Sequence, residues 1–432
     1  MISKKKSVYV GLSADLLHEG HINILKIAHR LGDVTVGLLT DKAISEYKKF
    51  PHLNYKQRLI VLKSVRYVKK VVAQETLDYS KNLKRYKPDF LVHGDDWKKG
   101  VQKFVRAKAI KTLKIWGGKL VEPKYTKNIS SSLIKKKLSE LGTTPDIRRA
   151  KLKRLIQAKD IVKIIEAHSA LSGLIIEKLN YNKRNKFSEF DGFWSSSLTD
   201  SVLRGKPDNQ SVDYSTRMQG LNDIFEVTSK PLIFDADNGG RIEHIPYLVK
   251  SLERIGVSAI VLEDKIGLKR NSLFQDQKKA KQDTISEFCK KIKVSKKSRI
   301  TNDLMIVARI ESLILKKGLN DALKRAEAYS SAGADAILIH SKEKTPFEIF
   351  KFAKRFIKSK FAKPMIAVPS TYSKTREKDL IKNGFKVVIY ANHLLRASYP
   401  AMLKTANTIL MKGRAFESDK TVAPIKEILE LI

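Results

Sequence analysis

Beyond residue 150 the sequence repeats one pattern eight times: a short apolar run that ends on polar or charged residues. The runs are Val162 to His168, Gly192 to Ser196, Leu232 to Asp237, Ala259 to Asp264, Met305 to Glu311, Ala336 to His340, Met365 to Pro369 and Val387 to Asn392. Each is too short for a helix and largely continuous in apolar character, as expected of parallel strands covered on both faces. The intervening segments have room for helices, and Leu319 to Ala332 shows helical periodicity. Eight such units over about 280 residues predict a (β/α)8 barrel, whose chemistry sits at the carboxyl ends of the strands.

The residues before this repeat alternate differently. Val8 to Leu12, Val34 to Leu39, Val68 to Val72 and Phe90 to Val92 read as strands, with a helix over Ile22 to Arg30. Strand and helix alternation of this length predicts a Rossmann-like, doubly wound α/β domain with its ligand at the carboxyl ends of the strands. Turn formers in Leu141-Gly142-Thr143-Thr144-Pro145-Asp146 break the pattern. We therefore divide the chain into a nucleotide-binding domain over 1–140, a linker over 141–150 and the barrel over 151–432.

Lysine and arginine number 85 against 45 acids, a formal charge of +40. The positives are spread along the chain in short pieces such as Lys135-Lys136-Lys137, with no nucleic-acid module beside them. That distribution favours steering of phosphorylated substrates over a role in nucleic-acid binding. A nucleic-acid or membrane-surface protein built on inactive enzyme folds is the alternative, and it needs the charge to form one face. No apolar stretch is long enough to span a membrane, and the basic start lacks a signal core, so a cytoplasmic protein is expected. The single cysteine, Cys289, has no neighbours suited to catalysis or metal binding.

At the barrel strand ends, Asp235 and Asp237 are two apart and leave a strand on the same side, and Glu263 ends the next strand. Clustered acids without His or Cys suit a hard cation with oxygen ligands, Mg2+ or Mn2+ rather than zinc. Asp208 lies in a loop able to reach over a substrate, while Arg309 and His340 add positive or proton-donating groups. An anionic, phosphorylated substrate follows.

The barrel resembles phosphoenolpyruvate mutase of the isocitrate lyase superfamily. The likeness rests on Glu166-Ala167-His168, Trp194-Ser195-Ser196-Ser197-Leu198, Asp235-Ala236-Asp237, the run Glu263 to Ser272, Val307-Ala308-Arg309, His340-Ser341-Lys342 and Ala391-Asn392-His393. It implies isomerisation of phosphoenolpyruvate to phosphonopyruvate with bound magnesium. Asp235 is then the direct metal ligand, and Asp237, Glu263 and Asp208 act through water. Trp194, Ser196, Ser197 and Leu198 frame the substrate, Arg309 and His340 hold it, and Asn392 assists. Lys269, Asn271 and Ser272 belong to a loop that closes over the phosphoryl group and excludes water. The superfamily lyases carry a Lys-Lys-Cys-Gly-His run that is absent here. Phosphonopyruvate hydrolase is the nearer rival, and Asn271 beside Lys269 favours the mutase. The resemblance also implies a homo-oligomer assembled through the barrel.

In the first domain, His18-Glu19-Gly20-His21 falls where a strand gives way to a helix, a place suited to phosphate. With Ser13, Asp15, Tyr55-Lys56-Gln57-Arg58, Gly94-Asp95-Asp96-Trp97 and Ile129-Ser130-Ser131-Ser132, it resembles the cytidylyltransferases related to glycerol-3-phosphate cytidylyltransferase. The resemblance implies that His18 and His21 stabilise the α-phosphate of CTP and that Lys49 and Arg58 bind phosphates. Asp95 and Trp97 then lie in the nucleotide pocket, with Ser130, Ser131 and Ser132 near the triphosphate. Leu12-Ser13-Ala14-Asp15 replaces that family's Gly-Thr-Phe-Asp, and Tyr125-Thr126-Lys127-Asn128 its Arg-Thr-x-Gly. Either a small phosphonate or a phosphate ester such as glycerol 3-phosphate is open as the CMP acceptor, as is a domain that has lost activity. A downstream enzyme that consumes phosphonopyruvate is the expected pathway partner.

Overall fold

The structure, a computed structural model, describes residues 5–98, 102–124, 126, 142–183, 186–267, 269, 271–272 and 280–432. The chain divides into two compact units, Met1–Leu141 with Asn180–Ser188, and Gly142–Leu179 with Glu189–Ile432.

The first unit holds a five-stranded parallel sheet made from β1 (Ser7–Leu12), β2 (Asp33–Leu39), β3 (Lys70–Gln74), β4 (Phe90–Val92) and β5 (Lys119–Val121). The spatial order is β3-β2-β1-β4-β5, so the winding reverses between β1 and β4. Alternation along β1 supplies both faces: Val8 and Val10 join Leu25, Val34 and Val36 in one core, while Tyr9 joins Leu83, Leu91 and Trp97 in the other. The third strand starts two residues later than the apolar run predicts. Val65 to Val68 form a turn closed by Val68 N to Val65 O, and pairing with β2 begins beyond it. The fifth strand escaped the sequence reading because it is three residues long and opens on Lys119.

The second unit is a closed parallel barrel in the order β6-β9-β10-β11-β14-β15-β16-β17. These strands are β6 (Val162–Glu166), β9 (Gly192–Ser195), β10 (Leu232–Asp235), β11 (Ala259–Glu263), β14 (Met305–Ile310), β15 (Ala336–Ile339), β16 (Met365–Ala367) and β17 (Phe385–Tyr390). All eight overlap the runs expected, with β17 starting two residues earlier than its run, at Phe385. Along the chain two short ribbons interrupt the series: β7 (Asn180–Lys183) with β8 (Lys186–Glu189), which belongs to the first unit up to Ser188, and β12 (Lys265–Ile266) with β13 (Lys281–Gln282) in the second. Helix Pro145–Ala158 begins inside the segment expected as a linker. Its Arg148 is buried and donates to Thr228 Oγ1, Lys230 O and Phe225 O, which fixes this helix to the barrel unit. No described helix is long and apolar enough to cross a membrane.

Candidate active site

Parallel closure brings the polar ends of all eight strands to one mouth. There a cavity of about 70 Å3 is walled by Trp194, Ser196, Ser197, Leu198, Asp208, Asp235, Glu263, Lys269, Asn271, Ser272, Arg309, His340 and Asn392. Asp237 lies just behind, at φ 52°, a left-handed conformation that Asp tolerates better than most side chains. That turn aims its backbone N–H at Asp235 Oδ1, 3.2 Å away, and its carbonyl at Glu263 N, 2.7 Å away. Every barrel residue expected to bind metal or substrate or to act in catalysis is thus within one neighbourhood.

Lys269, Asn271 and Ser272, expected to belong to a lid, reach this mouth from the segment after β12. Lys269 Nζ donates to Asp208 Oδ1 at 2.8 Å and also to Asp237 and Ser197. Asn271 Nδ2 donates to the other Asp208 oxygen at 3.1 Å, and Ser197 Oγ donates to Asp235 Oδ2 at 3.0 Å. The lysine ammonium therefore stands as a positive charge among carboxylate and hydroxyl oxygens, the donor type that a hard divalent cation takes. Among the described residues no three acids already converge as direct ligands on one point. The donor set suits a cation that keeps most of its waters.

Charge at the mouth is sorted by burial and by partner. Burial alone would raise the Asp235 carboxyl, but Lys269, Arg309 and Arg217 outweigh it and hold it low. For Asp237 burial prevails and the carboxyl is raised. Glu263 is pushed up to about 7 by burial, against the pull of Arg309 and Lys265. Burial and the adjacent Arg309 press His340 down to about 3, so its ring is neutral at neutral pH. It can donate or accept a hydrogen bond there, but it is not the fixed positive group that the sequence allowed. His340 Nδ1 and Asn392 Oδ1 are buried without a hydrogen-bond partner among the described residues, as expected of groups that face a ligand.

Three buried charges at the mouth escaped the sequence reading. Arg217 donates to Asp200 Oδ2 at 2.7 Å and to the Asp235 carbonyl at 2.6 Å, with its guanidinium 4.1 Å from the Phe234 ring. Glu311 accepts from Arg309 Nε at 2.6 Å. Lys265 Nζ donates to Ser272 Oγ at 2.7 Å. For Glu311 a signal existed, because it stands two residues past Arg309 and shares its side of the strand.

In the first unit, β1 and β4 flank the point where the winding reverses, and both predicted clusters follow their carboxyl ends. His18 caps helix Glu19–Leu31: its Nδ1 accepts from Gly20 N at 3.2 Å, and His21 Nδ1 accepts from His18 N at 3.4 Å. The two rings lie 4.0 Å apart. A Cβ on Gly20 would come within 3.0 Å of the His18 ring, so glycine leaves room for this cap. Burial, with His18 and Lys48 nearby, takes His21 down to about 3, and burial lowers His18 as well. After β4, Asp95 opens a short 3-10 turn whose Trp97 stacks on His93 at 3.9 Å and donates to Glu122 Oε1 at 2.7 Å. Asp15 is buried and accepts from Leu53 N at 3.0 Å.

Two expected phosphate ligands are placed otherwise. Arg58 is fully buried and donates to Ser13 O, Leu39 O, Leu53 O and Asp41, so it braces the loops beneath the site instead of facing it. Lys49 is exposed, whereas Lys48 reaches Ser13 Oγ at 2.9 Å and is lowered by burial to about 8. Ser130, Ser131 and Ser132 lie outside the described residues.

Residues 152–410, well over half of the chain, match the Phosphoenolpyruvate phosphomutase family, and residues 9–137 match the Cytidylyltransferase-like family. A phosphoenolpyruvate phosphomutase of Tetrahymena pyriformis is 38% identical over 285 residues, covering 66% of this chain and 91% of that protein. A phosphonopyruvate hydrolase of Variovorax sp. (strain Pal2) is 37% identical over 244 residues, 56% of this chain and 83% of that protein. The crystal structure of a phosphoenolpyruvate phosphomutase from Streptomyces platensis subsp. rosaceus aligns with a TM-score of 0.60 at 33% identity, over 66% of this chain and 94% of that one. A phosphonopyruvate hydrolase solved with oxalate and Mg2+ aligns at 0.58 and 31%, over 67% and 95%. With eight strand ends meeting at one mouth and these likenesses over the same residues, the chain belongs to the phosphoenolpyruvate phosphomutase family, with a cytidylyltransferase-like unit ahead of its barrel.

Proposed function

We propose that the barrel isomerises phosphoenolpyruvate to 3-phosphonopyruvate, making a carbon–phosphorus bond. The observation that carries this reading is the meeting of Lys269 and Asn271 on the two oxygens of Asp208 at the cavity wall. A segment seated there covers the phosphoryl position and keeps water from it, which separates isomerisation from hydrolysis. The enol oxygen–phosphorus bond breaks with its electron pair on oxygen, and C3 of the resulting enolate then takes the phosphorus. No proton is gained or lost overall. Two routes fit: transient attachment of the phosphoryl group to Asp208, or its passage as a metaphosphate-like species.

Asp235 would hold a magnesium ion directly, with Asp237, Glu263 and Asp208 acting through its waters. Bound there, the metal would supply charge stabilisation for the enolate and the phosphoryl oxygens. Arg309 orients the substrate anion, neutral His340 and Asn392 give it hydrogen bonds, and Trp194, Ser196, Ser197 and Leu198 shape its pocket. Consumption of phosphonopyruvate can be coupled to lactate dehydrogenase with pyruvate kinase present. Oxidation of NADH that requires ADP identifies phosphoenolpyruvate as product; oxidation without ADP identifies pyruvate, and so the hydrolase.

For the first unit we propose cytidylyl transfer from CTP to a small phosphonate. The His18 and His21 pair at a helix start, beside the point of reversed winding, supports it. Incubation with CTP and each acceptor tests it, and pyrophosphate released with glycerol 3-phosphate alone would overturn the choice of acceptor. Together the two activities place the protein in phosphonate biosynthesis in the cytoplasm, upstream of a phosphonopyruvate-consuming enzyme, with the barrel as the surface for self-association.

A further inference from the structure

Glu311 is fully buried, and its two oxygens have different partners. One accepts from Arg309 Nε at 2.6 Å. The other accepts from Ser272 Oγ at 2.7 Å and lies 3.4 Å from Lys265 Nζ. Ser272 in turn accepts from Lys265 Nζ at 2.7 Å and from Arg309 Nη2 at 2.9 Å. The four side chains form a closed ring in which one serine from the lid segment is tied to the arginine of β14 both directly and through Glu311. Arg309 is held along Nε and Nη2, and its Nη1 makes no hydrogen bond to the described residues while the side chain lines the cavity. A guanidinium pinned along one edge presents the other edge to an anion in a fixed direction.

The charge balance points to the same residue. Glu263 is 3.4 Å from Arg309 and 3.8 Å from Lys265, but it faces the proposed cation shell as well. Among the described residues the Glu311 carboxylate is hydrogen-bonded only within this ring, and Arg309 and Lys265, with His340 beyond them, hold it far below its usual range despite complete burial. A buried carboxylate with two cationic partners and a hydroxyl donor resists rotation, because any turn strands a charge.

We infer that Glu311 is a positioning residue that couples the lid to the substrate clamp. One of its oxygens orients Arg309 and the other docks Ser272, so Arg309 reaches its working direction when the lid segment is seated. This rests on the reading of Arg309 as substrate-binding and of Lys269 to Ser272 as a lid. Seating and clamping are then one event, and water is excluded at the moment the anion is gripped.

A double-mutant cycle on the full chain with Mg2+ tests it, reading kcat/KM for phosphonopyruvate consumption and the ratio of phosphoenolpyruvate to free phosphate formed. Glu311→Gln can still accept from Arg309 but no longer offsets two cations. It should lower kcat/KM by roughly 50-fold, and Ser272→Ala by roughly 10-fold, with the double variant close to Glu311→Gln alone. Both single variants should raise the share of free phosphate, which a merely structural role would leave at the wild-type ratio. Multiplying losses, an unchanged product ratio, or wild-type kcat/KM in Glu311→Gln would each overturn the coupling. Where Glu311→Gln does not fold, Glu311→Asp, which keeps the charge but shortens the reach to Ser272 and Arg309, takes its place in the cycle with the same expected outcome. Wild-type protein that yields only phosphate and pyruvate refutes the mutase reading while the cycle in kcat/KM still reads the coupling. Wild-type protein without any turnover sinks both.

Discussion

The barrel mouth and the sheet end of the first unit, both proposed to handle phosphate, arrange charge in opposite ways. At the barrel mouth buried acids and bases are interlocked: Asp208, Asp235, Asp237, Glu263 and Glu311 share Lys265, Lys269, Arg217 and Arg309. In the first unit the groups at the helix start are neutral, two histidines depressed by burial together with backbone donors. Arg58, its fully buried arginine, is spent on carbonyl oxygens and Asp41. The barrel is therefore organised around fixed charge, and the first unit around dipoles and hydrogen bonds. Substitutions in the barrel should act through electrostatics, and those in the first unit through local geometry.

The largest effect should come from Asp235→Ala. Removal of the acid that Lys269, Arg309 and Arg217 surround should cost at least ~10^3-fold in barrel turnover while CTP chemistry persists at its wild-type rate. Loss of both activities together would break the comparison, since it would mean that the two units do not act separately. Next, His21→Ala should reduce cytidylyl transfer by about 10^2-fold and leave phosphonopyruvate turnover unchanged, as measured by pyrophosphate release and by the coupled assay. Arg58→Met should lower the unfolding free energy of the first unit by roughly 3 kcal/mol in a urea titration, because it removes the hydrogen bonds that this fully buried guanidinium donates to Asp41 and three carbonyls. Lys49→Ala should leave that stability unchanged.

The smallest effect is a pH dependence. Because His21 sits near 3 in the folded unit and near 6.5 when unfolded, the unfolded chain takes the proton first as pH falls. Stability from this group is complete above about 6.5 and is lost progressively toward 3. Thermal unfolding between pH 7.5 and 4 should therefore show a shallower decline for His21→Gln than for wild type. An equal decline in both would remove His21 as the origin.

The sequence carried the barrel well because a parallel strand buried on both faces must be apolar along its length, and its polar end must mark the mouth. Asp235, Asp237, Glu263, Arg309 and His340 were legible for that reason. The residues that complete the mouth were not. Lys265 and Glu311 meet through pairing of β11 with β14 and through the seating of Ser272, none of which leaves a periodic trace. In the first unit the histidine pair was legible from its place before a helix, while the choice between Lys48 and Lys49 was not, since adjacent lysines differ only in which way the backbone turns them. Arg58, expected to bind phosphate, lies buried with its donors on backbone carbonyls and Asp41: a motif names a residue type, and burial decides whether its donors face a ligand or the chain.

The central claim is that the lid residues seated on Asp208 make the barrel an isomerase. Phosphorus NMR of phosphonopyruvate with the full chain and Mg2+ tests it most directly. Loss of the phosphonate resonance with matching growth of phosphoenolpyruvate and little free phosphate is the expected result; free phosphate appearing in step with pyruvate, without phosphoenolpyruvate, would contradict it.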